Sequence, residues 1–410
     1  MERTFIRDIR TKCGETAKVS GFVENIRDGK SMAFIVIKDI TGKLQITVEK
    51  EKCPALVDDI ARITPDSVIS CTGLVAENEY VKMGGIELLP TELEIESVAD
   101  ALPIIRKEIP ATKKKQAVER SAIDQRLNYR WIDLRTDENQ LLFKVQSCLV
   151  NAMREYLLKK DFIEIHTPKL IGAASESGAE VFEVKYFDRL AYLAQSPQFY
   201  KQMAMNAGFE KIFEIGPVFR ANPSFTARHE TEFISVDAEI SWINSHEDVM
   251  KLEEEWIAYF MAKAQEKLGE KVSALYGITI EVPKLPFPRI SLAKAKEIIR
   301  ERGYVSPKDD DLNPEDEKIL SEYVKEKFGH DFVFVTDYPV SARPFYHMRH
   351  ENNPTLTKSF DLLYRGLEVT TGAQREHRYD VLKAQILEKQ ETENDAKLLE
   401  SLKYYLQFFE

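Results

Sequence analysis

Residues 213–242 place arginines, a histidine and carboxylates in a strand, a loop and a second strand. An apolar run from Phe213 to Phe219 delivers Arg220 to a loop, and Asn222-Pro223-Ser224 gives that loop turn chemistry. His229 follows, and then a second strand with clean alternation. Ile234, Val236, Ala238, Ile240 and Trp242 fall on one face of it, and Phe233, Ser235, Asp237, Glu239 and Ser241 on the other. Side chains alternate across a strand, so the first face is expected in apolar packing and the second lines something polar. Acids, hydroxyls and an aromatic opposite a loop carrying Arg and His suit a charged, planar ligand. The same pattern fits an amphipathic surface hairpin with a solvated face, and alternation alone does not choose between them.

Two other stretches carry similar chemistry. Gln195-Ser-Pro-Gln198-Phe-Tyr-Lys201 places a lysine after two amides. Near the other end, Ser359–Tyr364 and Leu367–Thr371 form a hairpin around Arg365-Gly366, continuing into Gly372-Ala373-Gln374-Arg375. A lone lysine is usually solvated. A planar guanidinium suits bidentate recognition of a carboxylate.

In this order the segments resemble a known family. Phe219-Arg-Ala, then Arg228-His-Glu-Thr-Glu-Phe233, is similar to motif 2 of the class II aminoacyl-tRNA synthetases. Gln195 to Lys201 resembles the aspartate-binding segment of aspartyl-tRNA synthetases, and the order of segments over nearly the whole chain fits their compact archaeal-type branch. The resemblance implies ATP and L-aspartate as substrates and Mg2+ as cofactor. It implies that Arg220, as the catalytic residue, bridges the substrate carboxylate and the α-phosphate. His229 then reaches the outer phosphates and Phe233 stacks on adenine, with Ala221, Asn222, Arg228 and Glu230 completing that wall. Asn222 departs from the pattern, which has a glutamate there against the adenine amino group. Glu368 is implied at ATP and Mg2+, and Thr371 near the metal and the amino acid. Lys201 and Arg375 are implied at the side-chain carboxylate, Gln198 and Glu176 at other polar atoms of the amino acid, and Asp237 at its ammonium. Two cations converging on one pocket select aspartate over asparagine, because a neutral amide leaves buried charge uncompensated at a cost of about 3–5 kcal/mol. The related asparaginyl enzymes lack the Gln-Ser-Pro-Gln-x-x-Lys pattern.

The elements that position these residues read as an α+β chain. Lys18–Glu24, Ala33–Asp39, Lys43–Glu49, Ser67–Ala76 and Ile86–Ser97 have strand length and β-branched content, which predicts an OB-type barrel over residues 1–100. Gln45 and Thr47 alternate with apolar residues and are expected to face outwards. By resemblance this is the anticodon-binding domain, with Phe34 stacking on a base, Gln45 hydrogen-bonding one and Arg27 at a phosphate or base. From the residues alone, Phe34 could equally be a core aromatic. A linker, 101–137, holds Pro103, Pro110, Lys113-Lys114-Lys115 and Arg120, Arg126, Arg130 and Arg135. This basic segment suits either tRNA phosphates or solvent.

The catalytic module spans 138–410. Leu142, Val145, Leu149, Ala152 and Tyr156 recur at helical steps from Asn139 to Lys160, and Asp161 to Pro168 reads as a strand ending at proline. By resemblance this pair is motif 1, the homodimer interface. Ala173 to Glu180 suits a loop closing over ligand. Residues 283–330 read as a small helical insertion, and Asp337 to His347 as a return to the central sheet.

The net charge is −11, which argues against a non-specific nucleic-acid binder. Cys13, Cys53, Cys71 and Cys148 show no metal or redox spacing, and neither a signal peptide nor a membrane span is evident, so a cytoplasmic protein is expected. No glycine follows Gly372, whereas the family continues into a glycine-rich motif 3, so the chain is expected to be truncated before that motif. The expected function is ligation of aspartate to tRNA(Asp), with tRNA(Asn) left open. The alternatives are a tRNA-binding protein without catalysis and an asparagine-synthetase-like paralogue, against which the barrel argues.

Overall fold

The computed structural model describes all residues except 109–116, 118, 173–180, 223–229 and 394–397. It divides into two compact units, Met1–Thr136 and Asp137–Glu410.

In the first unit, β1 (Thr16–Asp28), β2 (Met32–Lys38), β3 (Lys43–Glu49), β4 (Val68–Glu77) and β5 (Ile86–Ser97) close a barrel in the order β1-β2-β3-β5-β4. Alternation does this work. Val19, Ile35, Ile37, Leu44, Ile46, Ile69 and Leu88 point inwards and are fully buried. Helix α1 (Val57–Arg62) lies between β3 and β4 in sequence and adds Ile60 to the core. Closure needs glycine where strands cross closely: a Cβ on Gly73 would stand 2.1 Å from the Leu89 carbonyl oxygen.

The segment after the barrel carries α2 (Ile123–Asn128) and α3 (Arg130–Asp133). Its arginines, expected to be available to phosphate, are engaged within the unit. Arg120, Arg126 and Arg130 converge on Asp133, which is fully buried. Arg106 and Arg135 share Asp66. The triple lysine lies outside the described residues.

The second unit opens with α4 (Asp137–Lys159), which starts two residues before the expected Asn139. Leu141, Ala152, Tyr156 and Leu157 are its buried residues, whereas Leu142 is exposed. Short strands β6 (Ile163–Glu164) and β7 (Leu170–Ile171) lead to the hairpin of β8 (Glu183–Tyr186) and β9 (Arg189–Leu193). Helix α5 (Gln198–Asn206) precedes the long antiparallel pair β10 (Lys211–Phe219) and β11 (Glu232–Ile240). The sheets run β11-β10-β6 and β7-β9-β8. The face of β11 expected in apolar packing is only partly covered, with Ile234 59% exposed and Val236, Ala238 and Ile240 half-buried, and Trp242 does not extend it. The strand ends at Ile240, the Ser241 N–H turns to the Glu210 carbonyl, and Trp242 has φ 60° and is 87% exposed.

Helix α6 (His246–Tyr276) packs on α4, started by a Ser245–Asp248 capping box and ended by Gly277 at φ 68°. The stretch read as a helical insertion is helical only in part. It contains α7 (Leu292–Glu301) and α8 (Pro314–Phe328), but β12 (Arg289–Ser291) joins a sheet with β13 (Phe332–Thr336), β14 (Ser359–Tyr364) and β15 (Leu367–Ala373) in that order. Asp337 to His347 is not a strand of this sheet. Proline at 339 and 344 removes two backbone donors, and the segment holds a short 3-10 turn, Val340–Ala342, with isolated bridges of Pro339 to Leu356 and of His347 to Arg375. The chain closes with α9 (Tyr379–Glu393), α10 (Leu398–Ser401) and α11 (Lys403–Leu406), whose Leu382, Leu402 and Tyr405 pack with Phe199 and Met203 of α5. Among the described residues no helix is long and apolar enough to cross a membrane.

Candidate active site

Pro197 ends the approach to α5 and sets Gln198 and Lys201 one helical turn apart on its buried side. Lys201 is only 4% exposed. Its ammonium lies 3.0 Å from Asp237 Oδ1 and 3.4 Å from Glu239 Oε2, two positions apart on the polar face of β11. The Ser235 hydroxyl on that face donates to Asp237 Oδ2 at 2.5 Å. Burial pulls the lysine pKa down, but Asp237 and Glu239 outweigh it and hold it above its ordinary value. Burial likewise pushes the Asp237 carboxyl up, and Lys201 with the Ser235 hydroxyl brings it below the ordinary range. Both groups are therefore ionised near neutrality.

Arg375, just beyond β15, enters the same cluster. Its Nη2 donates to Gln198 Oε1 at 3.0 Å, its Nε lies 3.6 Å from Glu239 Oε1, and its guanidinium stands 5.4 Å from the Tyr346 ring centre. Gln198 Nε2 reaches Gln202 Oε1 at 3.2 Å and Glu239 Oε2 at 3.5 Å. Lys201, Arg375, Asp237 and Glu239 thus form a charge-balanced quartet, with Lys201 and Gln198 buried and the other three half-buried. Nearby, His347 is buried, and burial followed by Arg375 and Arg343 drives its pKa well below the usual value, so the imidazole is neutral.

Arg220 follows β10, its backbone N–H donating to the Thr231 carbonyl at 2.9 Å. Its guanidinium lies 5.4 Å from the centre of the Phe233 ring, and its Nε is buried without a hydrogen-bond partner. Phe233 and Asp237 share a face of β11, so the cation–aromatic pair and the quartet lie along one strip. Ala221 and Asn222 are half-buried and Glu230 is exposed. Glu176, Arg228 and His229 lie outside the described residues.

The third group sits on β14 and β15. Arg365 at φ 50° and Gly366 at φ 79° form the two-residue turn that joins these strands. Thr371 pairs with Asp361, and Glu368 with Leu363. Asp361 and Leu363 are two apart and share a face, so Glu368 and Thr371 share one too, although they are three positions apart. A register shift at Leu362/Leu363, with Val369 as the extra residue, makes this possible. Thr370 then points to the opposite side and donates its hydroxyl to Glu253 of α6. The Glu368 residue is open to solvent along its length, but its carboxyl is crowded. Burial of that carboxyl, followed by the charge on Asp361, pushes it up to about 8. Asp361 is 3% exposed, and its Oδ1 has no hydrogen-bond partner.

Sequence reasoning missed Glu239, Asp361 and Arg343. Glu239 was visible on the same face as Asp237, and Asp361 stood in the same hairpin as Glu368. Arg343 opens the Arg-Pro-Phe-Tyr stretch, which resembles the family, but no role was assigned to it; its guanidinium reaches Asp361 Oδ2 at 2.5 Å.

In the barrel unit, Arg27 and Phe34 are direct partners across β1 and β2, and the guanidinium lies 4.4 Å from the ring centre. Both side chains are outside the buried core. Gln45 Nε2 donates to Thr47 Oγ1 at 3.0 Å and approaches Glu87 Oε2 at 3.4 Å. Thr47, expected to face solvent, is buried because its hydroxyl donates to Glu87 at 2.5 Å.

Comparison with known proteins bears on both units. The family described as tRNA synthetases class II (D, K and N) matches residues 122–410, and the OB-fold nucleic acid binding domain matches residues 17–96. The aspartate–tRNA(Asp) ligase of Pyrococcus abyssi is 41% identical over 399 residues, covering 97% of this chain and 87% of that protein. The aspartate–tRNA(Asp/Asn) ligase of Methanopyrus kandleri is 42% identical over 396 residues, covering 95% and 87%. The crystal structure of asparaginyl-tRNA synthetase from Pyrococcus horikoshii with asparaginyl-adenylate superimposes with a TM-score of 0.88 at 29% identity, covering all of this chain and 90% of that one.

Proposed function

The chain belongs to the class II tRNA synthetases of the D, K and N group, and from that premise we propose how it works as an aspartate–tRNA ligase. ATP is a substrate, and the product is an aminoacyl-tRNA. The observation that carries the choice of amino acid is the charge-balanced quartet of Lys201, Arg375, Asp237 and Glu239 around the buried Lys201 ammonium. L-Aspartate brings one ammonium and two carboxylates. Its side-chain carboxylate takes Lys201 and the Arg375 fork, and its ammonium takes Asp237, so each internal pair is exchanged for a pair with substrate. Asparagine still offers its ammonium to Asp237 but brings no charge to Lys201 and Arg375, which give up their internal partner without gaining an ionic one.

The chemistry has two steps. The α-carboxylate of aspartate attacks the α-phosphorus of ATP, the bond to the bridging oxygen breaks, and pyrophosphate leaves. A terminal ribose hydroxyl of tRNA then attacks the acyl carbon and AMP leaves. No protein nucleophile takes part. Arg220, half free of partners beside Phe233, holds the reacting carboxylate and phosphate together and stabilises the charge that develops between them. Phe233 offers its ring to adenine. The acids of β14–β15 fit a divalent cation: Asp361 Oδ1 is an orphaned buried acceptor, with the Glu368 carboxyl and Thr371 hydroxyl on the same face. When bound, Mg2+ supplies neutralisation of the phosphate charge there.

The barrel is proposed to read the anticodon through Phe34, Gln45 and Arg27 and the protein to act in the cytoplasm, and the same barrel decides between charging tRNA(Asp) alone and charging tRNA(Asn) as well. Charging assays with both tRNAs decide the last point. A second copy of this chain is proposed to cover Leu142, Phe143, Ile163 and Ile234, apolar residues exposed on α4, β6 and β11. The relatives do not favour a tRNA-binding protein without catalysis. The deciding experiment is amino-acid-dependent exchange of pyrophosphate into ATP by this chain. Exchange with aspartate and none with asparagine is expected. Exchange with asparagine alone overturns the reading.

A further inference from the structure

We propose that Arg343 is a built-in counter-cation for the acidic face of β14–β15, competing with Mg2+ for Asp361 and yielding the carboxylate when the metal binds. This rests on the Mg2+ reading above and adds a residue to it.

The geometry sets Arg343 apart from the chain's structural ion pairs. Arg154 grips Glu164 with two hydrogen bonds of 2.9 and 3.0 Å, and Arg378 grips Glu376 with 2.9 and 2.7 Å. Buried Asp133 is approached by three arginines at both oxygens. The first two are forked pairs, and Asp133 is engaged at both carboxylate oxygens, although the Arg120 Nε beside it is buried without a partner. Arg343 makes one short contact, 2.5 Å from Nη2 to Asp361 Oδ2, and a long one, 3.5 Å from Nη1 to Thr371 Oγ1. Its Nε is buried with no hydrogen-bond partner, and so is Asp361 Oδ1. Its guanidinium lies 3.8 Å from the centre of the Tyr338 ring, whose hydroxyl also faces Asp361.

A buried pair with an orphaned atom on each side is held by charge and stacking, not by a complete set of hydrogen bonds, and is correspondingly easy to rearrange. Charge explains why a cation is needed. Asp361 and Glu368 share one face, with Glu317 and Asp311 acting on Glu368 from further away. Arg343 is the cation that contacts this face through both Asp361 and Thr371. Stacking on Tyr338 gives the side chain a resting place that does not depend on Asp361.

Arg343 is thus a positioning residue, and its signature is metal affinity measured without nucleotide. The test is Mn2+ binding to the full chain, followed by the electron-paramagnetic signal of the free ion, in wild type, R343M, R343K and D361N. Methionine keeps the apolar contact with Tyr338 and removes the charge, and lysine keeps the charge. R343M is expected to bind Mn2+ about tenfold more tightly than wild type, the equivalent of about 1.4 kcal/mol. R343K should stay near wild type and D361N should weaken binding. If R343M binds Mn2+ no more tightly than wild type while D361N still weakens it, the counter-cation role is wrong and the metal reading stands. If D361N leaves binding unchanged, the metal reading fails and the counter-cation role falls with it.

Discussion

The Arg375 guanidinium donates to the Gln198 amide oxygen at 3.0 Å, joining residues 177 positions apart. The contact fixes the residue leaving β15 against the first turn of α5, and keeps the guanidinium beside Glu239, whose Oε1 lies 3.6 Å from Nε. Lysine keeps the charge but cannot span both Gln198 and a carboxylate. R375K should therefore raise the KM for aspartate by about 10- to 100-fold, the loss of one charge-assisted hydrogen bond, with a smaller effect on the KM for ATP. Equal loss for both substrates in pyrophosphate exchange would place Arg375 outside the amino-acid pocket.

The Lys201–Asp237 pair makes a prediction about acid. The folded Asp237 carboxyl titrates below its unfolded value of 3.8, so the unfolded state binds the proton first as the pH falls. The stabilisation is complete above about 3.8 and is lost as the pH drops through the folded value. D237N lacks it at every pH, although Glu239 still faces Lys201. Urea unfolding should show D237N less stable than wild type by about 2 kcal/mol at pH 6. The gap should narrow towards pH 3. A gap that is constant with pH would mean that the carboxylate's charge contributes nothing.

Arg220 carries the chemical step. R220A should abolish aspartate-dependent pyrophosphate exchange while tRNA binding, measured by filter retention, stays within about twofold. R220K should fail as well, because a point charge cannot bridge a carboxylate and a phosphate as a fork does. Near-normal exchange by R220A would remove Arg220 from the mechanism.

Much of this site was legible because it follows periodicity. Alternation in residues 233–241 correctly placed Phe233, Ser235, Asp237 and Glu239 on one face, and the Arg365-Gly366 turn marked the β14–β15 hairpin. The same alternation failed at Trp242, because a strand's end is set by a backbone turn and not by the side chain that would come next, and Ile234, on the face expected in packing, is exposed. It could not reveal the bulge at Val369, since a run of seven strand-forming residues reads the same with or without it. The fate of the post-barrel arginines was hidden too. Arg106 and Arg135 meet Asp66, 40 and 69 positions away, a carboxylate brought to them only by tertiary folding. The roles of Lys201 and Arg375 came from resemblance, as two cations so far apart in sequence carry no local signal of convergence.

Glu253 gives the opposite pH signature to Asp237. It lies on α6 beneath β15, accepts the Thr370 hydroxyl, and sits within reach of the Asp361 charge. Burial comes first, and with the Asp361 charge it pushes the carboxyl up to about 7 from 4.5. Between those values the folded chain holds a proton that the unfolded chain has released, so stability falls as the pH rises through this window. Above about 7 the full cost remains. Glutamine has the shape of the protonated acid, still offers an oxygen to Thr370, and has no proton to lose. E253Q should match wild type below pH 4.5 and exceed it above pH 7, by up to about 3 kcal/mol. Thermal unfolding of both proteins at pH 4.5 and pH 8 measures this directly. If E253Q is instead the less stable protein at pH 8, the ionised carboxylate itself supports β15, and the chain gains from the charge it buries there.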